Sequence, residues 1–191
     1  MKLILIRHGI AEDIFEAGSD EERKLTPEGH RKFKKVASGI LKCEPKIDSV
    51  ISSTLVRAIQ TAEILIGKIH SQTFKGSEIT LSGRIKAAES LSHEKLTELR
   101  PNSNPQEFCQ WLRQRYKNNT EYCLSVVGHE PHLSALLSFL LTGRNENFFE
   151  IKKGGAACLD LYFRAADIRS QLNWFMKPSQ LRSLSASSKK N

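Results

Sequence analysis

Three short motifs in the 191-residue chain place arginine or histidine beside small residues or proline. They are Arg7-His8-Gly9, Ser53-Thr54-Leu55-Val56-Arg57 and Gly128-His129-Glu130-Pro131. Arginine suits phosphate because its planar guanidinium donates hydrogen bonds in pairs and stays charged. A neutral imidazole is a competent nucleophile near neutral pH, since its ordinary pKa is about 6.5. If the motifs meet in space, they can bind a phosphoryl group and transfer it to a histidine.

A nucleophilic histidine needs support from its surroundings. Its second ring nitrogen requires a fixed acceptor that sets the tautomer, and arginines must neutralise the equatorial oxygens of the transferring group. Gly9 has no side chain, so the backbone there can approach a ligand closely. The sequence contains no carboxylate-rich motif typical of a magnesium site, and we therefore expect neither a metal nor another cofactor.

Each motif follows a stretch that predicts a buried strand. Residues 2–6 and 122–127 are largely apolar without alternation, and residues 48–52 form a shorter run of the same kind. Two later strands are predicted at residues 156–163 and 172–176. Residues 12–24 are polar and acidic and contain Gly18 and Ser19, which predicts a loop. Helices are predicted after the capping pairs Thr26-Pro27 and Asn104-Pro105, over residues 55–66, and from Pro131 to Gly143.

Strands that alternate with helices indicate an α/β fold with a mostly parallel sheet. Ligands of such sheets bind beyond the carboxyl ends of the strands. We therefore expect all three motifs at one rim of the sheet. Helices that begin near Leu55 and Pro131 would point their free N–H groups at the same place, which favours an anion.

Composition argues against several other classes of protein. The formal net charge of +8 suits an anionic substrate, but no dense run of Lys and Arg is interleaved with aromatics, so we expect no nucleic-acid partner. No apolar run approaches the roughly 20 residues of a membrane span, so we expect no membrane association. The four cysteines (Cys43, Cys109, Cys123 and Cys158) are scattered, which favours free thiols in a cytoplasmic protein.

The chain is long enough for one domain with a substantial core, which we assign to residues 1–178. Residues 179–191 are rich in serine and carry basic residues without an acid. That composition predicts a disordered tail.

Taken in order, the motifs resemble those of the histidine phosphatase superfamily. Arg7-His8-Gly9 is similar to its RHG motif, residues 53–62 to SPxxRAxQTA, and Gly128-His129-Glu130-Pro131 to its second-histidine motif. Residues 19–29 (SDEERKLTPEG) resemble the SDxxRxLTxxG stretch of SixA-type phosphohistidine phosphatases, and residues 153–156, Trp174 and Pro178 are also similar to that branch. The resemblance covers residues 1 to about 178. It implies a phosphoglycerate-mutase-like three-layer α/β/α sandwich.

The resemblance also implies roles for individual residues. His8 would be the phosphorylated nucleophile, and Arg7, Arg57 and His129 would form the phosphate pocket around it. Three further residues would contact the substrate: Gly9, Arg23 and Ser53. The implied activity is the metal-independent removal of phosphate from a phosphohistidine protein.

Two departures from the family pattern bear on the substrate. The usual Ser-Pro is Ser53-Thr54 here, which loosens the entry into the following helix. No motif supplies a general acid, although Glu89 and Glu98 are available. A missing acid favours phosphohistidine, because imidazole leaves more easily than an alkoxide. A small-molecule phosphomonoesterase and a non-catalytic phosphate-binding module remain the alternatives.

The other histidines have simpler interpretations. His132 is expected to face solvent on the helix that begins near Pro131. His30, His70 and His93 are expected at the surface.

Overall fold

The computed structural model describes residues 1–73, 91, 93–164 and 167–186. Within these residues, six strands form one sheet: β1 (Lys2–Arg7), β2 (Ser49–Ser53), β3 (His93–Leu96), β4 (Cys123–Gly128), β5 (Ala156–Phe163) and β6 (Ile168–Met176). Their order is β3-β2-β4-β1-β5-β6. The first four strands in this order form three parallel pairs, whereas β5 is antiparallel to both β1 and β6. The prediction of a mostly parallel sheet is confirmed.

Helices connect the strands and cover both faces of the sheet. They are α1 (Ile14–Ala17), α2 (Pro27–Cys43), α3 (Val56–Thr73), α4 (Pro105–Tyr116), α5 (His132–Thr142) and α6 (Pro178–Ala186), with a 3-10 turn at Thr97–Leu99. One buried cluster joins α2, α3 and α6 to the sheet, and a second joins α4 and α5 to the opposite face. The chain thus forms the expected α/β/α sandwich.

Strand β1 shows why its sequence is apolar without a break. Leu3 and Leu5 belong to the core on one face of the sheet, and Ile4 and Ile6 belong to the core on the other. All four side chains are fully buried. A central strand between two helical layers has no solvent face, so polar residues do not alternate along it.

The predicted helix starts agree with the observed caps. The Thr26 hydroxyl accepts a hydrogen bond from the Gly29 N–H at the start of α2, and the Asn104 side chain accepts one from the Gln106 N–H at the start of α4. Both helices carry proline at their first position, where no intrahelical partner is lost.

Four expectations about secondary structure were wrong. The helix expected over residues 55–66 continues past Gly67 as α3 to Thr73. Residues 12–24, expected as a loop, contain the single turn α1, which is closed by a capping box between Asp13 and Glu16. Strand β6 begins at Ile168 rather than at Leu172. The tail predicted as disordered from residue 179 instead continues α6 to Ala186.

Helix α6 forms because its apolar side has a partner that composition alone does not reveal. Leu181 is fully buried in the cluster on α2. Gly39 permits this approach, since a Cβ at that position would lie 2.0 Å from the Leu181 carbonyl oxygen. Residues 187–191 lie outside the described part of the chain.

The four cysteines are free thiols, as expected. Among the described helices, none is both long enough and apolar enough to cross a membrane.

Candidate active site

The three motifs meet at the carboxyl edge of the sheet because β1, β2 and β4 are parallel neighbours. Arg7 lies opposite Gly128 in the register of β1 and β4. The His8 N–H donates to the Gly128 carbonyl at 3.1 Å. The ring centroids of His8 and His129 are 5.0 Å apart. The convergence expected from the strand ends is therefore present.

Both ring nitrogens of His8 have defined surroundings. Nδ1 lies 2.7 Å from the carbonyl oxygen of Gly9. A carbonyl only accepts, so Nδ1 carries the hydrogen and Nε2 carries the lone pair. The Arg57 Nε–H donates to that lone pair at 3.3 Å. Gly9 thus supplies the fixed acceptor that a nucleophilic histidine requires, and Nε2 is the nitrogen that faces Arg57.

The electrostatics of the rim keep its histidines neutral. Burial, followed by the charge of Arg57, lowers the pKa of His8 to about 3, although the Gly9 carbonyl acts in the opposite direction. Burial, followed by His8 and Arg57, lowers the pKa of His129 to about 2. An uncharged His8 retains its lone pair at neutral pH.

Arg57 forms hydrogen bonds with three residues: His8, Asp20 and Thr61. It lies in the first turn of α3 with its side chain only 4% exposed, and it donates to the Asp20 carboxylate at 2.9 Å. The Thr61 hydroxyl donates to the Arg57 carbonyl at 2.6 Å and accepts from the Gly9 N–H at 3.1 Å. Thr61 therefore couples the position of Arg57 to the turn that holds His8.

Arg7 is fixed through the chain segment before β5. Its Nη1 donates to the Ile151 carbonyl at 2.8 Å, while the Ile151 N–H donates to Glu130 at 3.0 Å. The Gly154 N–H contacts the carbonyls of both Arg7 and His8. The Arg7 Nε is buried and has no hydrogen-bond partner in the described residues, so one donor of this guanidinium is free for a ligand.

Gly9 has a structural reason to be glycine besides the expected approach of a ligand. A Cβ there would lie 3.2 Å from Cδ2 of Leu25 and 3.6 Å from Cβ of Phe33. The space that a side chain would occupy is therefore filled by neighbouring apolar residues. A direct contact of Gly9 with substrate stays a prediction.

The two remaining candidates for substrate binding differ in position. Arg23 reaches the rim, since its Nη1 donates to Asp20 at 2.9 Å and its Nε donates to the Glu12 carbonyl at 2.7 Å. Ser53 is fully buried, and its hydroxyl accepts from the Leu55 N–H at 3.5 Å in the turn before α3. That turn forms without the usual proline. Contact of either side chain with substrate stays a prediction.

Of the two candidate acids, the structure describes only Glu98, and a role for either as a proton donor stays a prediction. Glu98 lies in the 3-10 turn and accepts a hydrogen bond from its neighbour Thr97 at 3.1 Å. It makes no hydrogen bond or ion pair to the rim arginines within the described part of the chain. Glu89 lies outside the described residues. No group of three or more His, Cys, Asp or Glu side chains able to hold a metal occurs among residues that the structure describes.

The expectation that His132 faces solvent was wrong. Its side chain is buried in the first turn of α5, both ring nitrogens lack a partner within the described residues, and burial lowers its pKa to about 4. His93 is likewise not a free surface residue, because its Nε2 lies 3.0 Å from the Ser52 hydroxyl.

Four site residues were missed from the sequence: Asp20, Thr61, Glu130 and Lys153. Each lies inside a motif that had been noted, which was the available signal. Partial burial, followed by the charges of Arg23 and Arg7, lowers the pKa of Lys153. The effect of these charges indicates that its ammonium group lies near the rim arginines. Burial by itself would raise the pKa of Asp20, but hydrogen bonds from Arg23 and Arg57 outweigh it and lower that pKa.

Comparison with known proteins gives three points of similarity. Residues 3–79 match the model of the histidine phosphatase superfamily (branch 1). An uncharacterised protein of Picosynechococcus sp. is 29% identical over 158 residues, which are 81% of this chain and 82% of that protein. The solved structure of the protein histidine phosphatase SixA complexed with tungstate is 25% identical, with a TM-score of 0.71 over 95% of this chain and 99% of that one.

A more distant structure shares the fold. A phosphoserine phosphatase of Entamoeba histolytica is 20% identical, with a TM-score of 0.57 over 94% of this chain and 98% of its own. The likeness to SixA and to this protein extends over nearly the whole of each chain.

Proposed function

This chain belongs to the histidine phosphatase superfamily and is a phosphatase, and on that premise we propose that it removes phosphate from a phosphohistidine residue of a protein. The reaction passes through a phosphorylated His8. Arg7, Arg57 and His129 surround the phosphoryl group, and Arg23 assists from the loop before α2. The protein histidine phosphatase named above, similar over nearly its whole length, supports this substrate class.

One observation carries the proposal. His8 is neutral, its Nδ1–H is bound to the Gly9 carbonyl, and its Nε2 lone pair faces the buried guanidinium of Arg57. A histidine kept only for structure would not need an uncharged nitrogen directed toward a cation. This arrangement fits a nucleophile that waits beside an anion-binding group.

The first step is an in-line displacement at phosphorus. Nε2 of His8 forms a new P–N bond, and the bond between phosphorus and the substrate imidazole breaks. The leaving imidazole keeps the electron pair and takes one proton from solvent. Positive charge develops on the His8 ring, and the Gly9 carbonyl stabilises it by accepting from Nδ1–H.

The second step regenerates the enzyme. A water oxygen bonds to phosphorus, the P–N bond to His8 breaks, and the electron pair returns to Nε2. One proton of the water stays on the oxygen that is now bonded to phosphorus, and the other passes to solvent or to a second phosphate oxygen. Inorganic phosphate then leaves. Throughout, the guanidiniums of Arg7 and Arg57 offset charge on the phosphoryl oxygens.

The carboxyl groups that the structure describes near the rim favour phosphohistidine over an alkyl phosphate as substrate. Asp20 lies there, but its burial is outweighed by hydrogen bonds from Arg23 and Arg57 that lower its pKa, so it is poorly suited to donate a proton. Glu98 accepts a hydrogen bond from Thr97. No glutamate in the described residues hydrogen-bonds to the ring of His8 or His129. Cleavage of an alkyl ester needs a positioned acid to protonate the leaving alkoxide, whereas imidazole is a better leaving group and takes its proton from solvent.

The decisive experiment is single-turnover labelling with a protein that carries radioactive phosphohistidine. A rapid denaturing quench at alkaline pH preserves the acid-labile phosphoramidate. Label should map to His8, and His8→Ala should show neither label nor turnover. His30→Ala, a histidine of α2 outside the rim, is the matched control and should behave like the wild type. Normal turnover in His8→Ala would overturn the mechanism.

A substrate panel separates the proposal from its alternatives. We expect phosphoramidates to be hydrolysed much faster than alkyl or aryl phosphates. A preference for alkyl phosphates that is lost in Glu98→Gln or Glu89→Gln would instead establish a phosphomonoesterase. Tight binding of phosphoprotein without any label on His8 would establish a non-catalytic binding module.

A further inference from the structure

A carboxylate occupies the place where two rim arginines converge. Oδ2 of Asp20 lies 2.9 Å from Nη2 of Arg57, and Oδ1 of the same residue lies 2.9 Å from Nη1 of Arg23. Arg57 also donates to the Asp20 backbone carbonyl. A single carboxylate therefore joins the two guanidiniums through separate oxygens, much as two oxygens of a phosphoryl group would.

This carboxylate is held less firmly than the arginine that it contacts. The side chain of Asp20 is 43% exposed, whereas that of Arg57 is 4% exposed. The exposed partner can turn toward solvent at modest cost, because ion pairs open to water contribute little stability. The buried guanidinium is fixed more firmly, since it also donates to His8 and to the Asp20 backbone carbonyl.

Asp20 provides hydrogen-bond partners for only some of the polar atoms at the rim. Arg7 Nε and both ring nitrogens of His129 are buried and lack a hydrogen-bond partner in the described ranges. A buried polar group without a partner is costly, so these atoms favour a ligand that reaches them. A tetrahedral oxyanion has more acceptor atoms than a carboxylate and can contact the arginines together with Arg7 Nε–H and the single N–H of the neutral His129 ring.

We propose that Asp20 is a displaceable internal anion that competes with the phosphoryl group for Arg57 and Arg23. The inference rests on the proposed function, since it assigns those guanidiniums to the substrate. Asp20 must leave Arg57 before the phosphoryl group can reach the position in front of His8. Its return after hydrolysis helps to expel inorganic phosphate, so the residue sets both substrate affinity and product release.

The substitution Asp20→Asn shows whether the carboxylate competes with the oxyanion or positions the arginines, because the two roles change oxyanion affinity in opposite directions. If the carboxylate competes, removing its charge makes the arginines more available, and an oxyanion binds more tightly. If the carboxylate positions the arginines for substrate, its removal weakens binding. A role in stability alone changes the free energy of unfolding and leaves oxyanion affinity unaltered.

Isothermal titration with sodium tungstate measures this directly and needs no turnover. We expect Asp20→Asn to bind tungstate about fivefold more tightly than the wild type, a factor within the range for a partly exposed ion pair. Asp20→Glu keeps the charge and should return close to wild-type affinity. Glu22→Gln removes an equal charge from an exposed position in the same loop and should match the wild type.

Product inhibition gives a second readout. Inorganic phosphate should inhibit Asp20→Asn at about fivefold lower concentration than it inhibits the wild type, while Glu22→Gln should be unchanged. Equal or weaker tungstate binding by Asp20→Asn overturns the inference, as does equal tightening in Glu22→Gln.

Failure of tungstate to bind any of these proteins also contradicts the inference. Labelling of His8 then shows whether the proposed function fails with it, because phosphoryl transfer to His8 does not require competition by Asp20.

Discussion

The Nε–H of Arg57 donates to Nε2 of His8 across 3.3 Å, and this hydrogen bond joins the start of α3 to the end of β1. It places a fixed positive charge beside the one His8 nitrogen that retains a lone pair. Burial lowers the pKa of Arg57, but a guanidinium keeps its proton in proteins, so this arginine does not act as a general acid. In the proposed mechanism, this contact orients His8 as the nucleophile and places Arg57 beside the oxygens of the phosphoryl group.

Arg57→Lys should lower kcat/KM for a phosphoramidate by about 100-fold or more, corresponding to roughly 3 kcal/mol of transition-state stabilisation. Lysine keeps the charge but loses the planar fork that reaches His8 and Asp20 together. Steady-state kinetics give the measurement. Arg31→Lys, at an exposed position of α2, is the control and should be unchanged. A rate within threefold of wild type in Arg57→Lys would remove the fork from the mechanism.

Glu130→Gln should weaken the support of Arg7. The carboxylate accepts from the N–H groups of Ile151 and Ser134, and the Ile151 carbonyl in turn accepts from Arg7. Glutamine has one acceptor oxygen, so one buried N–H loses its partner at a cost of about 1–3 kcal/mol in unfolding free energy. We also expect weaker tungstate binding, because Arg7 is then less well positioned.

The matched control for that change is Glu150→Gln, which neutralises an exposed glutamate in the same segment. Urea unfolding and tungstate titration of both variants provide the comparison. Equal behaviour of the two would show that the contacts of Glu130 do not position Arg7.

Stability should fall as the pH is lowered below about 6.5. The folded-state pKa values of His8, His129 and His132 are about 3, 2 and 4, well below the unfolded value of about 6.5. The unfolded chain therefore binds protons that the folded chain does not. The stabilisation is fully present above the unfolded pKa and is lost as the pH falls toward the folded values.

Each buried imidazole contributes a slope of roughly 1.4 kcal/mol per pH unit in that window. Urea unfolding between pH 7.5 and 5 measures the combined slope. His132→Leu removes one titrating group outside the proposed chemistry. It should reduce the slope by the contribution of one imidazole, roughly 1.4 kcal/mol per pH unit. An unchanged slope in this variant would show that His132 does not stay neutral in the folded protein.

Gly39→Ala should destabilise the protein by about 2 kcal/mol, because the new methyl group would meet the Leu181 carbonyl at 2.0 Å and push α6 away from α2. Gly67→Ala in α3 is the matched control, since no atom lies within 4 Å of its Cβ position. It should be neutral or stabilising by up to about 1 kcal/mol. Thermal unfolding separates the two; equal melting temperatures would contradict the docking of α6.

Much of the fold could be predicted from local patterns. The unbroken apolar run of β1 required a strand buried on both faces, and Thr26-Pro27 required a helix start. Helix α6 could not be predicted in this way. Its composition is polar and serine-rich, and only the surface of α2 around Gly39 explains why it is ordered.

The candidate site divides in the same manner. The convergence of four side chains could be predicted because their motifs lie at the carboxyl ends of strands: His8, Arg7, Arg57 and His129. Their catalytic roles stay a prediction. The burial of His132 was not predicted, since a position on a helix does not by itself show what the rest of the chain packs against it.

The sequence by itself determined which residues reach the rim, because parallel strands deliver their carboxyl ends to one edge whatever the details of packing. Only the tertiary structure decided their chemical state. The Gly9 carbonyl sets the tautomer of His8, burial beside Arg57 keeps that ring neutral, and Asp20 comes to lie between Arg57 and Arg23. Such states depend on distances and desolvation between residues far apart in the chain, which no local pattern encodes.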